Sequence, residues 1–501
     1  MAAVKDCPCF DGVDVLEYKW VALTVTTIGI FMVGLDARIV IIGLPQVASQ
    51  LGADAEEAIW ITQSYVLANT VLLLLIGRLS DVFGRVRIYS YGFAIFTIGS
   101  ALTSLGVDPL TVIVFRAIQG FGAALIFSNS IAIVTDASPK NQLGLFVGIN
   151  QIAYRAGAIF GLTISGLILS FLDWRALFYV NIPVGIFGTL WSRRRLKEIA
   201  MLDKNTKIDW PGFGAFAVFL LCLMTGLTVA AYGTFNPAIV YALFASSLIF
   251  LVAFILRERK TPSPLIDFRM FRIREVTGGI LAVLFNVIAW AGMLLLLSFQ
   301  FQLILGETPL EAGIRILPFE IAFLAVGPLS GTLSDKFGHS KFTLSGLLLG
   351  TISLLLFSTT NSSTPYSYFS FFMILMGVAT GLFLAPNLRS VMAALPGQRR
   401  GIGSALVSLF LNVGLTISLN FAVFVMSLTA PYDLLTGLIS ALNPLTITLP
   451  QKAIFMESIK NTYVALAIVN GIAILPSIFQ LNRRRSSLPP VNVVTATAEP
   501  V

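Results

Sequence analysis

The sequence has 501 residues, of which 56% are hydrophobic and only 12% are charged. A water-soluble domain carries roughly 25% charged residues, so this composition excludes an ordinary soluble protein and requires a non-aqueous environment around most of the chain. The net charge of +8 is compatible with nucleic-acid binding, but the placement of the basic residues gives it another explanation.

Apolar segments long enough to cross a membrane recur along the chain. About 20 helical residues cross a hydrocarbon core of about 30 Å. Backbone polar groups in lipid must be satisfied within the segment, which favours helices. The sequence therefore predicts an all-α membrane protein with fourteen transmembrane helices, at 20–44, 58–76, 89–107, 110–134, 142–168, 176–194, 211–231, 237–256, 277–300, 309–333, 342–360, 366–393, 402–427 and 459–481.

The loops between these segments alternate in charge. Arginine and lysine concentrate in every second loop, as at 193–197 and 257–260, whereas intervening loops carry acids such as Asp54 and Glu307. The positive-inside rule places the basic loops in the cytoplasm, and an even number of spans then places both termini there. We expect a multi-pass protein of the cell (plasma) membrane. Because topology accounts for the basic residues, we expect the lipid bilayer as a partner and no nucleic acid.

A nine-residue segment occurs twice. Gly77–Arg85 reads GRLSDVFGR and Gly331–His339 reads GTLSDKFGH, each after the second span of a six-span set. Such duplication predicts two parallel halves that face each other. We predict an N-terminal six-helix bundle at 1–195, inserted helices seven and eight with cytoplasmic linkers at 196–276, a C-terminal six-helix bundle at 277–485 and a disordered tail at 486–501.

Gly77 to Arg85 resembles the signature of the major facilitator superfamily between helices 2 and 3, glycine-x-leucine-x-aspartate-x-x-glycine-arginine. Further segments are similar to the fourteen-helix drug:proton antiporter branch, of multidrug efflux type: Leu35-Asp36, Leu44-Pro45, Trp60, Tyr65, Arg116, Gly120, Asp173-Trp174-Arg175, Phe178, Asn181, Pro183 and Gly185. The resemblance covers nearly the whole chain. It implies the major facilitator fold, two six-helix bundles plus two extra central helices.

The fifth span departs in part from the antiporter motif of that branch, glycine-x-x-x-glycine-proline-x-x-glycine-glycine. Gly157, Gly161 and Gly166 match, but Leu162 replaces the proline and Ser165 replaces a glycine. Small residues four apart let helices approach closely, so the three glycines are predicted packing positions.

Three ionisable residues at membrane depth are candidates for proton coupling. Such residues are costly in lipid and face protein or a water-filled cavity. The carboxyls of Asp36 and Glu320 could take up and release a proton in a low-dielectric cavity, and the resemblance implies a coupling role for Arg116. Alternatively, Asp36 forms a structural ion pair with Arg116 or Arg155, and Glu320 is satisfied by Arg315.

A second set of residues is predicted to line a substrate cavity. Arg38 and Arg155 would favour an anionic ligand if both face the cavity, because guanidinium pairs bidentately with carboxylate or phosphate. The alternative is that one or both pair with Asp36 or Glu320. The remaining candidates, for which helix packing is the alternative, are Gln63, Tyr65, Asn150, Asn286 and Trp290.

The duplicated loops are predicted to act as conformational switches. Asp81 could pair with Arg85 or with an arginine across the bundle interface and so hold an outward-open state, while the glycines allow a tight turn. The predicted switch residues are Gly77, Asp81, Gly84, Arg85, Asp335 and Gly338.

The sequence contains no phosphate-binding loop, metal cluster or nucleophile arrangement, so we expect no enzyme, no cofactor and no metal. The leading hypothesis is a monomeric secondary active transporter that exports small organic or drug-like molecules in exchange for protons by alternating access. The alternative is an organic or inorganic anion symporter or uniporter that uses Arg38 and Arg155. A third hypothesis, a non-transporting receptor, is disfavoured by the duplicated switch loops.

Overall fold

The computed structural model describes residues 15–138, 143–199, 209–232, 237–261, 264–266, 268–395, 400–431, 434–435 and 449–478. Its helices are α1 Val15–Leu51, α2 Ala55–Phe83, α3 Arg85–Ser104, α4 Pro109–Ala137, α5 Leu143–Phe171, α6 Ala176–Tyr179, α7 Asn181–Arg195, α8 Trp210–Tyr232, α9 Pro237–Lys260, α10 Arg274–Phe299, α11 Pro309–Phe337, α12 His339–Phe357, α13 Tyr366–Ala394, α14 Arg400–Ser427, α15 Leu449–Ile472 and α16 Ile474–Ile478. A π-helical turn, Gln300–Ile304, continues α10. The tail predicted to be disordered lies outside the described residues.

Eleven helices in the described part of the chain are long and apolar enough to cross a membrane. Three of the fourteen predicted spans are not among these eleven helices: α2, α3 and the pair of short helices α6 and α7. The longer helix of that pair, α7, has 15 residues. Basic residues end α7 and α9 on one side of the molecule. We call this the basic side, and the other the opposite side.

The helices pack into two groups. In the first group, α1, α4, α5 and α7 pack on one another together with α2 and α3; in the second, α10, α13 and α14 pack with α11, α12 and α15. The groups meet chiefly through α5 against α11 and α2 against α14. Helix α8 packs on α9 and also on α2 and α14, so it lies along the second of these contacts.

The two groups begin their second helices in the same way. At the start of α2, Asp54 accepts from the Glu57 backbone, and the Glu57 side chain accepts from the Asp54 backbone. Thr308 and Glu311 form the same capping box at the start of α11. A capping box satisfies two backbone donors that have no partner inside the helix. The boxes lie 254 positions apart, at 54 and 308.

The duplicated loops also turn in the same way, again 254 positions apart. Gly84 has φ +99° and ψ 134°, and Gly338 has φ +91° and ψ 136°. Their N–H groups donate to the carbonyls of Ser80 and Ser334, both at 3.0 Å. A positive φ of this kind is essentially restricted to glycine. The shared backbone geometry therefore supports the duplication that the sequence predicts.

Substitution of Gly84 by alanine is expected to cost more stability than the same change at Gly338. Both substitutions strain the backbone by about 1–3 kcal/mol. A Cβ at position 84 would also displace the Glu198 carboxylate, which accepts from the Val86 N–H at 2.9 Å, whereas nothing lies within 4 Å of a Cβ at position 338. Thermal unfolding of the two purified variants in detergent measures the difference. Equal losses would show that contact with Glu198 does not matter.

Helix α1 continues through Pro45 to Leu51, seven residues beyond the predicted span. Because proline has no N–H, the carbonyl of Ile41 loses its usual intrahelical donor. Ser298 of α10 donates to that carbonyl at 3.2 Å, and Gln302 donates to the neighbouring carbonyl of Ile42 at 3.2 Å. The second group thus satisfies the backbone that the proline exposes.

The three glycines of the fifth span lie at close helix contacts. A Cβ at Gly157 or Gly161 would meet backbone oxygens of α1, from Phe31 and Leu35 respectively. A Cβ at Gly166 would meet the backbone of Leu310, at the start of α11 in the second group. Ser165, which departs from the family motif, donates to the carbonyl of Ile39 at 2.7 Å.

Candidate functional site

Asp36 lies at the centre of a buried polar cluster in the first group. Arg116 Nη1 donates to its Oδ2 at 2.7 Å. Gln119 Nε2 and Asn181 Nδ2 donate to its Oδ1 at 2.8 and 2.9 Å. Asp36 and Arg116 are 0% and 1% exposed. A buried carboxylate is stable when it is both paired and hydrogen-bonded, and Asp36 meets both conditions.

Arg116 connects this cluster to two further helices, α2 and α6. Its Nη1 donates to Gln119 Oε1 at 2.6 Å and its Nε to the Ile61 carbonyl at 3.4 Å. Its guanidinium carbon lies 4.3 Å from the ring centre of Tyr65 and 5.5 Å from that of Phe178. The cluster thus ties α1, α2, α4, α6 and α7 together.

A second charged group lies between the two packed groups. Arg38 of α1 approaches Glu320 of α11, with Nε 3.8 Å from Oε1, and lies over the Trp290 ring of α10 at 4.9 Å. Arg155 of α5 lies over the Phe323 ring of α11 at 4.0 Å and within electrostatic range of Glu320 and Arg38. We call Arg38, Arg155 and Glu320 the central triad.

The central triad lacks the hydrogen bonds that fix Asp36. Glu320 is 1% exposed, yet neither of its oxygens accepts a hydrogen bond. Its separation from Arg38 exceeds hydrogen-bond range. Within the described residues, neither Arg38 nor Arg155 forms a hydrogen bond; their contacts are the loose ion pair and the aromatic rings. The Glu320 carboxylate is therefore buried without a hydrogen bond, beside two guanidinium groups that donate to no group of the described residues; Arg155 is partly exposed.

Glu320 does not pair with Arg315, which was one alternative from the sequence. Arg315 Nε instead lies 3.0 Å from the carboxylate of Glu307, in the turn before α11. Burial raises the pKa of the Glu307 carboxyl, and the Arg315 charge opposes that rise. Arg315 is thus engaged outside the central triad.

The other five predicted cavity residues lie in five different places. Tyr65 stacks on Arg116, and Trp290 on Arg38. Gln63 donates to the Thr416 carbonyl of α14 at 2.6 Å, at a contact between the two groups.

The two predicted asparagines bond to neighbouring helices. Asn150 donates to Thr26 at 3.1 Å, and Asn286 donates to Asn470 at 2.9 Å. Each of these bonds stays inside one packed group.

The switch residues are described only in part. Arg85 at the start of α3 pairs with Asp136 near the end of α4, at 2.7 Å. Gly77, Asp81 and Asp335 belong to α2 and α11, but the side chains of Asp81 and Asp335 are outside the described part of the structure. The pairing of Asp81 with an arginine therefore stays a prediction.

Sequence reasoning missed Gln119, Ser100 and Phe323. Gln119 bridges Asp36 and Ser100, to which its Nε2 donates at 2.6 Å. Its position three residues after Arg116, on the same face of one helix, was the available signal. The aromatic platform Phe323 had no signal of its own, because phenylalanine is common in apolar spans.

The duplication relates residues around Asp36 in the first group to residues around the central triad in the second. Shifted by 254 positions, Asp36 and Tyr65 correspond to Trp290 and Phe319. Those two rings stack at a centroid distance of 6.0 Å. The second group therefore presents aromatic surface at the positions where the first group holds its buried carboxylate.

Comparison with known families gives one model that matches most of the chain. The model described as Major Facilitator Superfamily matches residues 26–419 and 279–481. This match confirms the resemblance noted from the loop signature.

Three relatives are similar over most of their length. The Riboflavin transporter RibZ of Clostridioides difficile is 29% identical over 83% of this chain and 90% of its own. The Tetracenomycin C resistance and export protein of Streptomyces glaucescens is 26% identical over 79% and 73%. Multidrug resistance protein 3 of Bacillus subtilis is 27% identical over 78% and 77%.

The fold is also similar to a solved transporter structure. A bacterial homologue of the human lysosomal transporter Spinster, solved in an inward-facing and unoccupied conformation, superposes with a TM-score of 0.64. It covers 93% of this chain and 98% of its own, with 16% identity. At that identity the likeness concerns the fold alone.

Proposed function

Because the chain belongs to the major facilitator superfamily, we propose that it is a proton-coupled secondary transporter that moves small organic molecules by alternating access. It crosses the plasma membrane fourteen times, with the basic side and both termini in the cytoplasm. The six-helix bundles are 1–195 and 277–485, joined by the inserted helices at 196–276. The three relatives support an organic substrate, because their names refer to riboflavin, tetracenomycin C and multidrug resistance.

The observation that carries the proposal is the central triad. It brings charges from both packed groups together near mid-depth: Glu320 is eleven residues from the start of α11 and Arg155 twelve from the start of α5. At 1.5 Å per residue these positions are about 16 and 18 Å from the helix ends. Intramembrane charges at the interface of two repeats are typical of transport sites.

Glu320 is the better candidate for the proton-binding group. Three donors hold Asp36. Protonation would put a hydrogen on an oxygen that already accepts from one of these donors, and it would leave Arg116 buried without its counter-ion. Glu320 has no hydrogen bond to lose. Asp36 and Arg116 then serve to stiffen the first bundle, which moves as a unit.

The contacts between the bundles support alternating access with the outer side closed. Ser298 and Gln302 bond to α1 near its outer end, and the backbone of Leu310 leaves no room for a Cβ at Gly166. These contacts lie on the opposite side, which is extracellular in the proposed topology. They must separate before the site can open outward.

Two modes of coupling follow from two kinds of substrate. A cationic or polar substrate that binds Glu320 competes with a proton and is exported in exchange for it; the export and resistance named for the relatives support this mode. An anion that binds Arg38 and Arg155 is carried by symport or uniport. The guanidinium groups of the triad, which form no hydrogen bond with the described residues, favour this second mode.

Transport in proteoliposomes tests the proposal. The purified chain is reconstituted with a pH-sensitive dye inside, and riboflavin, a cationic drug and an aromatic anion are added in turn under an imposed pH gradient. We expect movement of at least one compound to change the internal pH and to stop with a protonophore. Proton movement opposite to the compound indicates exchange, and movement with it indicates symport. No gradient-dependent movement of any compound would contradict proton coupling.

A further inference from the structure

We propose that the ligand of the central triad carries an anionic group attached to an aromatic ring, and that the Glu320 carboxylate occupies the place of that group until a proton neutralises it. The inference rests on the proposed transport function and names a substrate class for its second mode. The anionic group is a carboxylate, sulfonate or phosphate, all of which present oxygens to guanidinium.

The central triad has one positive charge in excess and guanidinium donors without acceptors, which favours binding of an anion. Each guanidinium has five N–H donors and cannot lose its charge. The side chains of Arg38 and Glu320 are 8% and 0% exposed, and Arg38 forms no hydrogen bond within the described part of the chain. One carboxylate at 3.8 Å leaves the triad with a net charge of +1 and with its donors unused. Arg155 is partly exposed, but Arg38 and Glu320 are buried, and buried charges are stable only when paired and hydrogen-bonded.

The aromatic part of the ligand follows from the surroundings of the two arginines. Arg38 lies over Trp290 and Arg155 over Phe323, and Phe319 stacks on Trp290. The rings hold the guanidinium groups by cation–π attraction. They also offer flat apolar surface beside the charges, on which a planar ring gains stacking energy.

Proton binding and anion binding reinforce each other at such a site. Ionised Glu320 competes with a bound anion for the arginines, whereas neutral Glu320 does not. By linkage, a proton on Glu320 and an anion on the arginines each increase the affinity for the other. A cationic ligand would instead bind less tightly when Glu320 is protonated.

The charged groups that face Glu320 are Arg38 on α1 and Arg155 on α5. Helices α10, α12 and α13 also pack against α11. Their charged residues stand near the basic side: Arg274 and Glu275, His339 and Lys341, and Arg389. Arg389 is twelve residues beyond Gly377, which packs against the carbonyl of Phe319, so it is about 18 Å along the helix.

Binding of three matched naphthalene compounds to the full chain in detergent tests the inference. The compounds are a sulfonate, a methylammonium and a neutral hydroxymethyl derivative, measured by calorimetry at several pH values. The sulfonate keeps its charge throughout, so any pH dependence belongs to the protein. We expect the sulfonate to bind at least about tenfold tighter than the other two, and more tightly as the pH falls.

Four variants assign the effect to residues. R38Q and R155Q should each weaken sulfonate binding by about tenfold or more without changing binding of the neutral compound. E320Q should strengthen sulfonate binding at neutral pH and remove its pH dependence. The matched control R315Q, whose arginine pairs with Glu307, should bind as the unmodified chain does. If a glutamine variant fails to fold, R38K and R155K take its place; loss of bidentate pairing should weaken binding here too.

Equal binding of all three compounds, no binding of any to the folded chain, or weaker sulfonate binding by E320Q would overturn the inference. Measuring both transport and binding distinguishes a failure of this inference from a failure of the proposed function. Gradient-driven transport without a preference for the anion overturns the inference alone. Arginine-dependent anion binding without gradient-driven transport supports the inference and overturns the proposed function.

Discussion

Replacement of Arg116 by methionine is expected to lower the stability of the folded chain by about 3–5 kcal/mol, because it leaves the Asp36 carboxylate buried without its cation. The ion pair is 2.7 Å long and both side chains are at most 1% exposed. Gln119 and Asn181 still donate to Asp36, but neutral donors do not replace the charge. The apparent unfolding temperature in detergent measures the loss.

The double variant D36N/R116M is the control. It removes both charges, so it should be more stable than R116M alone, because no uncompensated charge remains. The difference between the double variant and the sum of the two singles gives the coupling between Asp36 and Arg116. An R116M protein as stable as the unmodified chain would show that the pair does not stabilise the first bundle.

Substitution of Glu320 by glutamine is expected to uncouple transport from protons. The amide keeps the size of the side chain but cannot take up a proton, so a pH gradient should no longer drive accumulation. Exchange of an anionic substrate, which binds Arg38 and Arg155, should continue because it needs no net proton movement. We expect gradient-driven accumulation to fall by at least about tenfold, equivalent to about 1.4 kcal/mol of driving force. Accumulation and counterflow in the same proteoliposomes provide the measurement.

Glu457 on α15 provides a matched control. It is an exposed glutamate near the opposite side, away from the central triad. E457Q should keep both gradient-driven accumulation and exchange. If E320Q also kept its response to the gradient, proton coupling would have to reside elsewhere, and Asp36 would be the next carboxyl to test.

Much of the architecture could be predicted from the sequence because its cause is local. The length of each apolar segment predicts a helix. The repeated GxLSDxFG segment predicts the duplication, and the turns at Gly84 and Gly338 have the same backbone geometry. The end of α1 could not be predicted, because Pro45 ends a helix unless another element satisfies the carbonyl of Ile41. That element, Ser298, is more than 250 residues away.

The candidate site was predicted less completely. The residue types identified Asp36, Arg38, Arg116, Arg155 and Glu320 as charges at membrane depth, but each carboxylate had more than one possible partner. Pairing depends on how α1, α4 and α11 are rotated and packed, which local sequence does not determine. Asn150 and Asn286 show the same limit. A buried asparagine must find a partner, and the sequence does not distinguish a neighbouring helix from a ligand.

The most direct test of alternating access is the distance between spin labels on the two bundles, after Cys7, Cys9 and Cys222 are replaced. One pair, at Phe171 and Ile314, reports on the opposite side, and the other, at Phe83 and Phe337, reports on the basic side; all four residues are exposed. We expect a low-pH buffer or a transported substrate to add a population with a longer first distance and a shorter second one. Two distances that never change, or that lengthen together, would contradict the account.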